Sequence, residues 1–187
     1  MHEDIKKAIK ILREGGIILY PTDTIWGIGC DASNKEAVAR IYKIKQRSDS
    51  KSMLVLVSRP EMIQFYVDEL SETAYDLFDL ATEPLTVILD DVKNLAQNLI
   101  AQDGSVGFRV TNEEFSQKLV QQFKMPIVST SANISEKPAP AIFDEISKEI
   151  ISNVDYVVKY RQNDISKSKA SKIIKLSKTG AFKIVRA

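Results

Sequence analysis

Three short segments of this chain carry side chains suited to binding charged groups. The first is Lys45-Gln46-Arg47 with Lys51 four residues on, set where a helical pattern gives way to the apolar run Met53-Leu54-Val55-Leu56-Val57. The helix macrodipole favours cations at a helix C-terminus, so a solvated helix end is one reading of this cluster. The second and third segments are Pro21-Thr22-Asp23-Thr24 and Ser129-Thr130-Ser131-Ala132-Asn133. Both place hydroxyls and amides directly after apolar, strand-like runs. Strand ends in α/β sheets are where polyanionic ligands tend to bind. Cations at one junction and hydroxyls at two strand ends together describe a pocket for phosphate and carboxylate. Arg109 follows Val106-Gly107-Phe108. It is either an outward-facing strand residue or a bidentate fork for a carboxylate.

The same inventory excludes other chemistries. The one histidine, His2, lies in a terminal segment, so no Ser-His-Asp or Cys-His nucleophile and no histidine metal site is available. No P-loop or Rossmann glycine pattern occurs, and Gly27-Ile28-Gly29 reads as a turn with close packing rather than a phosphate cradle. Cys30 is the single cysteine, which rules out an intramolecular disulfide and a Cys-rich zinc site; its small-residue surroundings suit a buried, inert thiol. On spacing alone, Ser105 and Ser171 are strand-edge serines. Ser129, Ser131 and Asn133 are followed by Ile134-Ser135-Glu136-Lys137-Pro138, which reads as a loop rather than a helix to be capped. Catalysis by such a set rests on positioning and electrostatics.

The elements that must hold these residues alternate along the chain. Short runs rich in β-branched residues predict strands over 16–20, 53–58, 85–90, 106–110, 126–130, 155–159, 172–176 and 182–185. Ser33 with Glu36, and Thr111 with Glu114, form capping-box patterns ahead of helically spaced apolar residues. Further helices are predicted over 3–14, 71–80 and 141–151, and the polar stretch 160–170 reads as a loop. The pattern is one α/β domain over 1–187, with the last three strands in a more antiparallel tail. Lys+Arg total 26 and Asp+Glu 25, so no global field draws the protein to nucleic acid or membrane. There is no run of about 18 apolar residues and no signal peptide, which predicts a soluble, cytoplasmic protein.

In order and spacing, several segments resemble the YrdC-like family, the L-threonylcarbamoyladenylate synthases of tRNA modification. They are Pro21 to Ala32, Ile44-Lys45-Gln46-Arg47, Pro84-Leu85-Thr86, Val106 to Val110 and Ser129 to Ser135. The resemblance runs from about Ile5 to Arg186. It implies a strongly twisted mixed sheet with flanking helices around a concave cationic pocket. The implied enzyme is a nucleotidyltransferase that joins ATP, L-threonine and bicarbonate into threonylcarbamoyl-AMP and pyrophosphate. That product serves N6-threonylcarbamoylation of adenosine 37 in tRNA, through a downstream transferase and with possible contact to tRNA. Longer members add a C-terminal domain, for which this chain ends too early. Mg²⁺ is expected to ride on the ATP phosphates with few protein ligands.

Carried over residue by residue, Thr24 and Arg109 resemble the threonine-holding pair, with Ser129 and Ser171 as further contacts. Lys45, Arg47 and Lys51 resemble the phosphate cluster. Ser131 and Asn133 border the nucleotide, with Ser105 and Arg186 as further matches on the ATP side. Thr82-Glu83 replaces the usual Pro-Gly, Ala139 stands where serine is common, and Ala170 to Lys175 departs from the family pattern around Ser171. Trp26 replaces a common tyrosine or phenylalanine. The alternative reading is a non-catalytic RNA-binding module of the same fold, against which stand the balanced charge and the lack of a basic, aromatic-interleaved stripe. A carbamoyl-transfer component of the hydrogenase-maturation type uses a related domain but carries cysteine-rich zinc motifs, which one cysteine cannot build.

Overall fold

A computed structural model describes residues 1–46, 53–168, 170–177 and 180–187. The first helix, α1 (His2–Arg13), buries Ile5, Ala8 and Leu12 along one stripe. It has Glu3 and Asp4 in its first turn and Lys10 and Arg13 in its last, matching the macrodipole at both ends. The other helices are α2 (Lys35–Lys45), α3 (Glu72–Asp79), α4 (Glu114–Phe123) and α5 (Lys148–Asn153). Short 3₁₀ segments cover Pro60–Phe65 and Phe143–Glu145.

The strands are β1 (Ile18–Tyr20), β2 (Gly27–Gly29), β3 (Leu54–Val57), β4 (Leu85–Leu89), β5 (Val106–Val110), β6 (Ile127–Ser131), β7 (Tyr156–Val157), β8 (Lys172–Leu176) and β9 (Phe182–Arg186). Among the described residues they form one mixed sheet in the order β7-β1-β2-β6-β3-β5-β4-β8-β9. Its central strands are buried on both faces, with Val55, Leu56, Phe108, Ile127 and Val128 fully enclosed. No described helix is long and apolar enough to cross a membrane.

Five expectations are corrected here. Gly27-Ile28-Gly29 is a strand, not a turn. It pairs antiparallel with β1 on one side and β6 on the other. A Cβ on Gly29 would lie 2.3 Å from the Val128 carbonyl and 2.8 Å from the Tyr20 ring, so the close packing is real and the reason is cross-strand approach. Asn34, not Ser33, caps α2. Asp31 Oδ1 accepts both the amide and the hydroxyl of Ser33, at 2.8 and 2.7 Å, which leaves Asn34 Oδ1 to accept from the Ala37 amide. Glu113 caps α4 through the Ser116 amide, while Thr111 is buried against the Ser116 hydroxyl. Lastly, β7 runs parallel to β1 and β8 parallel to β4, leaving only β8–β9 antiparallel in the tail. The 141–151 region also divides into a 3₁₀ turn and α5 rather than one helix.

Candidate functional site

A cleft of about 310 Å³ opens over the sheet, and strands distant in sequence supply its walls. The β1–β2 connection contributes Thr22, Thr24 and Trp26. β4 contributes Thr86, β5 Arg109, β6 Ser129 to Ser131, and the tail Ser171 and Arg186. Among the described lining residues, Arg109 and Arg186 are the only charged side chains, and no carboxylate is present.

Arg109 is the centre of this surface. Its side chain is 3% exposed, and its Nε has no hydrogen-bond partner. Asp23 lies behind it, with Oδ1 3.2 Å from Nη2. The approach is a charge contact without hydrogen-bond alignment, so Asp23 Oδ1 also has no hydrogen-bond partner. Burial pulls the Arg109 pKa below its ordinary value while Asp23 pulls it back up. Burial raises the Asp23 pKa and Arg109 opposes it. A buried guanidinium at the wall of a cleft is costly unless a ligand completes its charge, and a carboxylate is the matching acceptor.

Local turns aim the hydroxyls. Thr22 Oγ1 donates to the Ile25 carbonyl at 2.8 Å and accepts from the Thr24 amide at 3.1 Å, folding Thr24 towards the cleft. Ser129 is buried on β6, and a Cβ on Gly27 would come within 3.1 Å of its Oγ; the glycine keeps that space open. Below them Tyr20 is fully buried, and burial raises its pKa, so it stays a neutral phenol. Ser171 Oγ lies 2.9 Å from Thr86 Oγ1. Arg186 donates from Nε and Nη2 to the Ser171 carbonyl at 2.9 and 2.6 Å, so much of its fork fixes that segment.

Lys45 lies just outside the lining, 2% exposed at the end of α2. Its Nζ donates to the carbonyls of Ser131 and Asn133 at 2.5 and 2.7 Å. The sequence places Lys45 among the phosphate ligands; the structure shows it tying α2 to the segment that carries Ser131 and Asn133. Asn133 Nδ2 in turn donates to the Ile134 and Lys137 carbonyls, closing the loop after β6. Arg47 and Lys51 lie outside the described residues. Ser105 is not in the cleft: its hydroxyl donates to Asp103 Oδ1 at 2.6 Å in the loop before β5. Trp26 serves as wall and core at once, 5% exposed with its ring 4.9 Å from that of Phe143. His2 starts α1, which packs against α4, β1 and β7, away from the cleft.

The structure thus gathers Thr24, Arg109, Ser129, Ser131, Ser171 and Arg186 into one cavity. It adds Thr22 and Thr86 to the walls and Asp23 behind them. Asp23 and Thr86 stand in the recognised segments Pro21 to Thr24 and Pro84 to Thr86. The signal was present; their partners, distant in sequence, were not legible.

The family model Sua5_yciO_yrdC, described as "Telomere recombination", matches residues 10–187. A threonylcarbamoyl-AMP synthase of Pseudoalteromonas translucida is 32% identical over 157 residues, covering 82% of this chain and 84% of that protein. A putative threonylcarbamoyl-AMP synthase of Methanocaldococcus jannaschii is 34% identical over 189 residues, covering 98% and 86%. Among solved structures, P. abyssi Sua5 complexed with L-threonine superposes with a TM-score of 0.82 at 25% identity. That match covers 92% of this chain and 50% of that one, so the chain spans half the length of Sua5. E. coli YciO gives a TM-score of 0.86 at 24% identity over 100% of this chain and 89% of its own, a likeness of fold.

Proposed function

Because the chain belongs to the Sua5/YciO/YrdC family, we propose that its cleft joins ATP, L-threonine and bicarbonate into threonylcarbamoyl-AMP, releasing pyrophosphate. The observation that carries the reading is the buried guanidinium of Arg109 lining a cleft whose described lining has no carboxylate. Such a site is complete only with an anion. Arg109 receives the threonine carboxylate, and Thr24, Ser129 and Ser171 lie around it to order the amino acid. Ser131 and Asn133, held by Lys45, border the nucleotide, and Arg186 stands at the far wall. Arg47 and Lys51 supply charge to the triphosphate in this reading, and ATP arrives as its Mg²⁺ complex.

The chemistry matches a site without a proton-shuttling histidine. The neutral amine of threonine and bicarbonate give a carbamate and water. The carbamate is already anionic, so one of its oxygens attacks the α-phosphorus directly and the bond to pyrophosphate breaks. What the protein supplies is in-line placement, worth ~7–11 kcal/mol when reactants are fully oriented, and preorganised donors for developing charge. The product is an activated acyl adenylate, consumed by a transferase that acts on tRNA; contact of this chain with tRNA is a separate expectation, tested by tRNA binding with and without the adenylate.

The test is pyrophosphate release from MgATP with threonine and bicarbonate, with carbamoyl phosphate in place of both as the comparison. Release that requires threonine and bicarbonate together, with the adenylate seen by mass spectrometry, is the expected result. Release with carbamoyl phosphate alone, or none at all, overturns the reading. Arg47→Ala and Lys51→Ala should each raise the KM for ATP at unchanged folding; wild-type values for both return that cluster to a solvated helix end.

A further inference from the structure

Arg161 stands behind the cleft and has no part in the roles assigned so far. β7 runs parallel to β1 in the register Ile18↔Tyr156 and Leu19↔Val157, and the Val158 amide extends the pairing onto the Leu19 carbonyl at 2.9 Å. The chain after β7 therefore emerges beside the chain after β1, and Arg161 comes to line a narrow gap with Pro21, Thr22 and Thr24. Its backbone is left-handed, at φ 65°, which is uncommon for a residue with a side chain. The turn is held from within. The Asp164 amide donates to the Arg161 carbonyl at 3.1 Å, and Asp164 Oδ1 accepts from the Ser166 amide at 2.9 Å. One residue earlier, Tyr160 stacks on Phe115 of α4 with ring centroids 5.9 Å apart.

From this turn the guanidinium reaches two other segments. Nε and Nη2 donate to Asp164 Oδ2 at 2.9 and 2.7 Å. That fixes one edge of a planar fork and so aims the other. There Nη1 donates to the Thr22 carbonyl at 3.4 Å and lies 3.5 Å from Glu113 Oε1. Each contact leads to a residue of the cleft. Thr22 Oγ1 accepts from the Thr24 amide, so the place of Thr22 sets that of Thr24. Glu113, 8% exposed, accepts with its other oxygen from the Ser116 amide at the start of α4, the helix that follows β5 and Arg109. The charges follow the same plan. Burial is the main cause of the raised Asp23 pKa, Arg109 opposes it, and the charge of Glu113 adds to the rise. A cation beside Glu113 therefore offsets a second carboxylate close to the Asp23–Arg109 pair.

Resting on the function proposed above, we infer that Arg161 is a positioning residue, which straps the Thr22 carbonyl to Glu113 and so holds Thr24 in place relative to Arg109. Arg161 is not among the residues lining the cleft and acts through the two segments it joins. Its contribution is placement. A binding group displaced by about 1 Å can cost about 100-fold, and a strap that only steadies a connection costs less.

A pair of variants separates the side chain from the backbone it sits on. Arg161→Gly suits the left-handed turn, so its effects report the lost guanidinium. Arg161→Lys keeps a cation near Glu113, but one ammonium cannot reproduce the fork that spans the three partners. Amide hydrogen exchange followed by NMR gives a readout that needs no substrate. In Arg161→Gly the Thr24 and Ser116 amides should exchange about tenfold faster than in wild type, with the Val128 amide inside the sheet unchanged. Calorimetry should show threonine bound about tenfold more weakly, at an unchanged KM for ATP, and Arg161→Lys should lie nearer to Arg161→Gly than to wild type. Unchanged exchange at Thr24, wild-type threonine affinity in Arg161→Gly, an equal loss for threonine and ATP, or full rescue by lysine would overturn the strap. Faster exchange at Thr24, in a chain whose wild type neither binds threonine nor releases pyrophosphate, would defeat the proposed reaction and leave the strap standing. Release by wild type, with Arg161→Gly binding threonine normally, would do the reverse.

Discussion

Replacing Arg109 with methionine should damage binding and stability by separable routes. In binding, the variant removes a guanidinium fork. Two charge-assisted bonds at ~1.5–3 kcal/mol each set a loss of at least ~3 kcal/mol, or roughly 100-fold in Kd for threonine. Arg109→Lys should recover little of this, because a point ammonium cannot reproduce the planar pair of donors. In stability, the variant strands Asp23. At 3.2 Å, with an effective dielectric near 20, the pair attracts by ~5 kcal/mol, most of it offset by desolvation. Removing only the cation leaves a buried carboxylate uncompensated, at ~3–5 kcal/mol, or roughly 6–20 °C in Tm for a chain of this size.

Asp23 can escape that penalty by taking up a proton. Burial already holds its pKa above the ordinary 3.8, and loss of Arg109 raises it further. A carboxylate with a raised folded pKa costs stability above that pKa and is relieved as pH falls through it. The Tm gap between wild type and Arg109→Met should therefore narrow as pH falls. Asp23→Asn combined with Arg109→Met should close much of the gap at every pH while threonine binding stays lost. Thermal melts across pH with parallel calorimetry read both effects. A double variant as unstable as Arg109→Met, or a gap independent of pH, would refute the coupling; threonine binding intact in either variant would remove Arg109 from the substrate.

Lys45→Met should raise the KM for ATP at least tenfold and lower Tm, because it removes the ammonium that the Ser131 and Asn133 carbonyls both accept from, worth ~1–3 kcal/mol; unchanged protease sensitivity of the loop after β6 would count against this. Gly29→Ala should destabilise by more than ~2 kcal/mol, since the new methyl meets the Val128 carbonyl at 2.3 Å, an extreme case of overpacking; a melting temperature within a degree of wild type would contradict the strand packing described. Asp155→Ala should cost ~1–2 kcal/mol at neutral pH by orphaning the Ile17 amide, bound at 2.7 Å, and the Arg40 guanidinium. Burial raises the Asp155 pKa, but bonds from Arg40 and Ile17 outweigh it and leave it below 3.8. Its stabilisation is thus present above about pH 3.8 and lost as pH falls below it, so denaturant titrations should show the variant and wild type converging in acid.

The chain's own residues determined the α/β class, eight of the nine described strands, four of the five described helices and the separation of polar strand ends from apolar cores, because those features depend on short-range periodicity. Arg109 and the hydroxyls of the 129–131 segment were legible as candidates since their types restrict what they can bind. The fifth helix appeared in the sequence as part of a longer one, and β2 was invisible because a three-residue strand bounded by glycines has no periodic signal. Its existence depends on β1 and β6 approaching where Gly29 leaves no side chain in the way. Caps moved by one or two residues when Asp31 captured Ser33, a competition between neighbours that pattern alone does not resolve. The division of labour among the cations was likewise tertiary. Lys45 and Arg109 look alike as charges in the sequence; in the fold, one is turned onto backbone carbonyls to hold a loop, and the other is buried against Asp23 and lines the cleft. Thr86 meets Ser171 only where β4 and β8 lie side by side, because contacts between residues far apart in the chain exist only where the sheet brings them together.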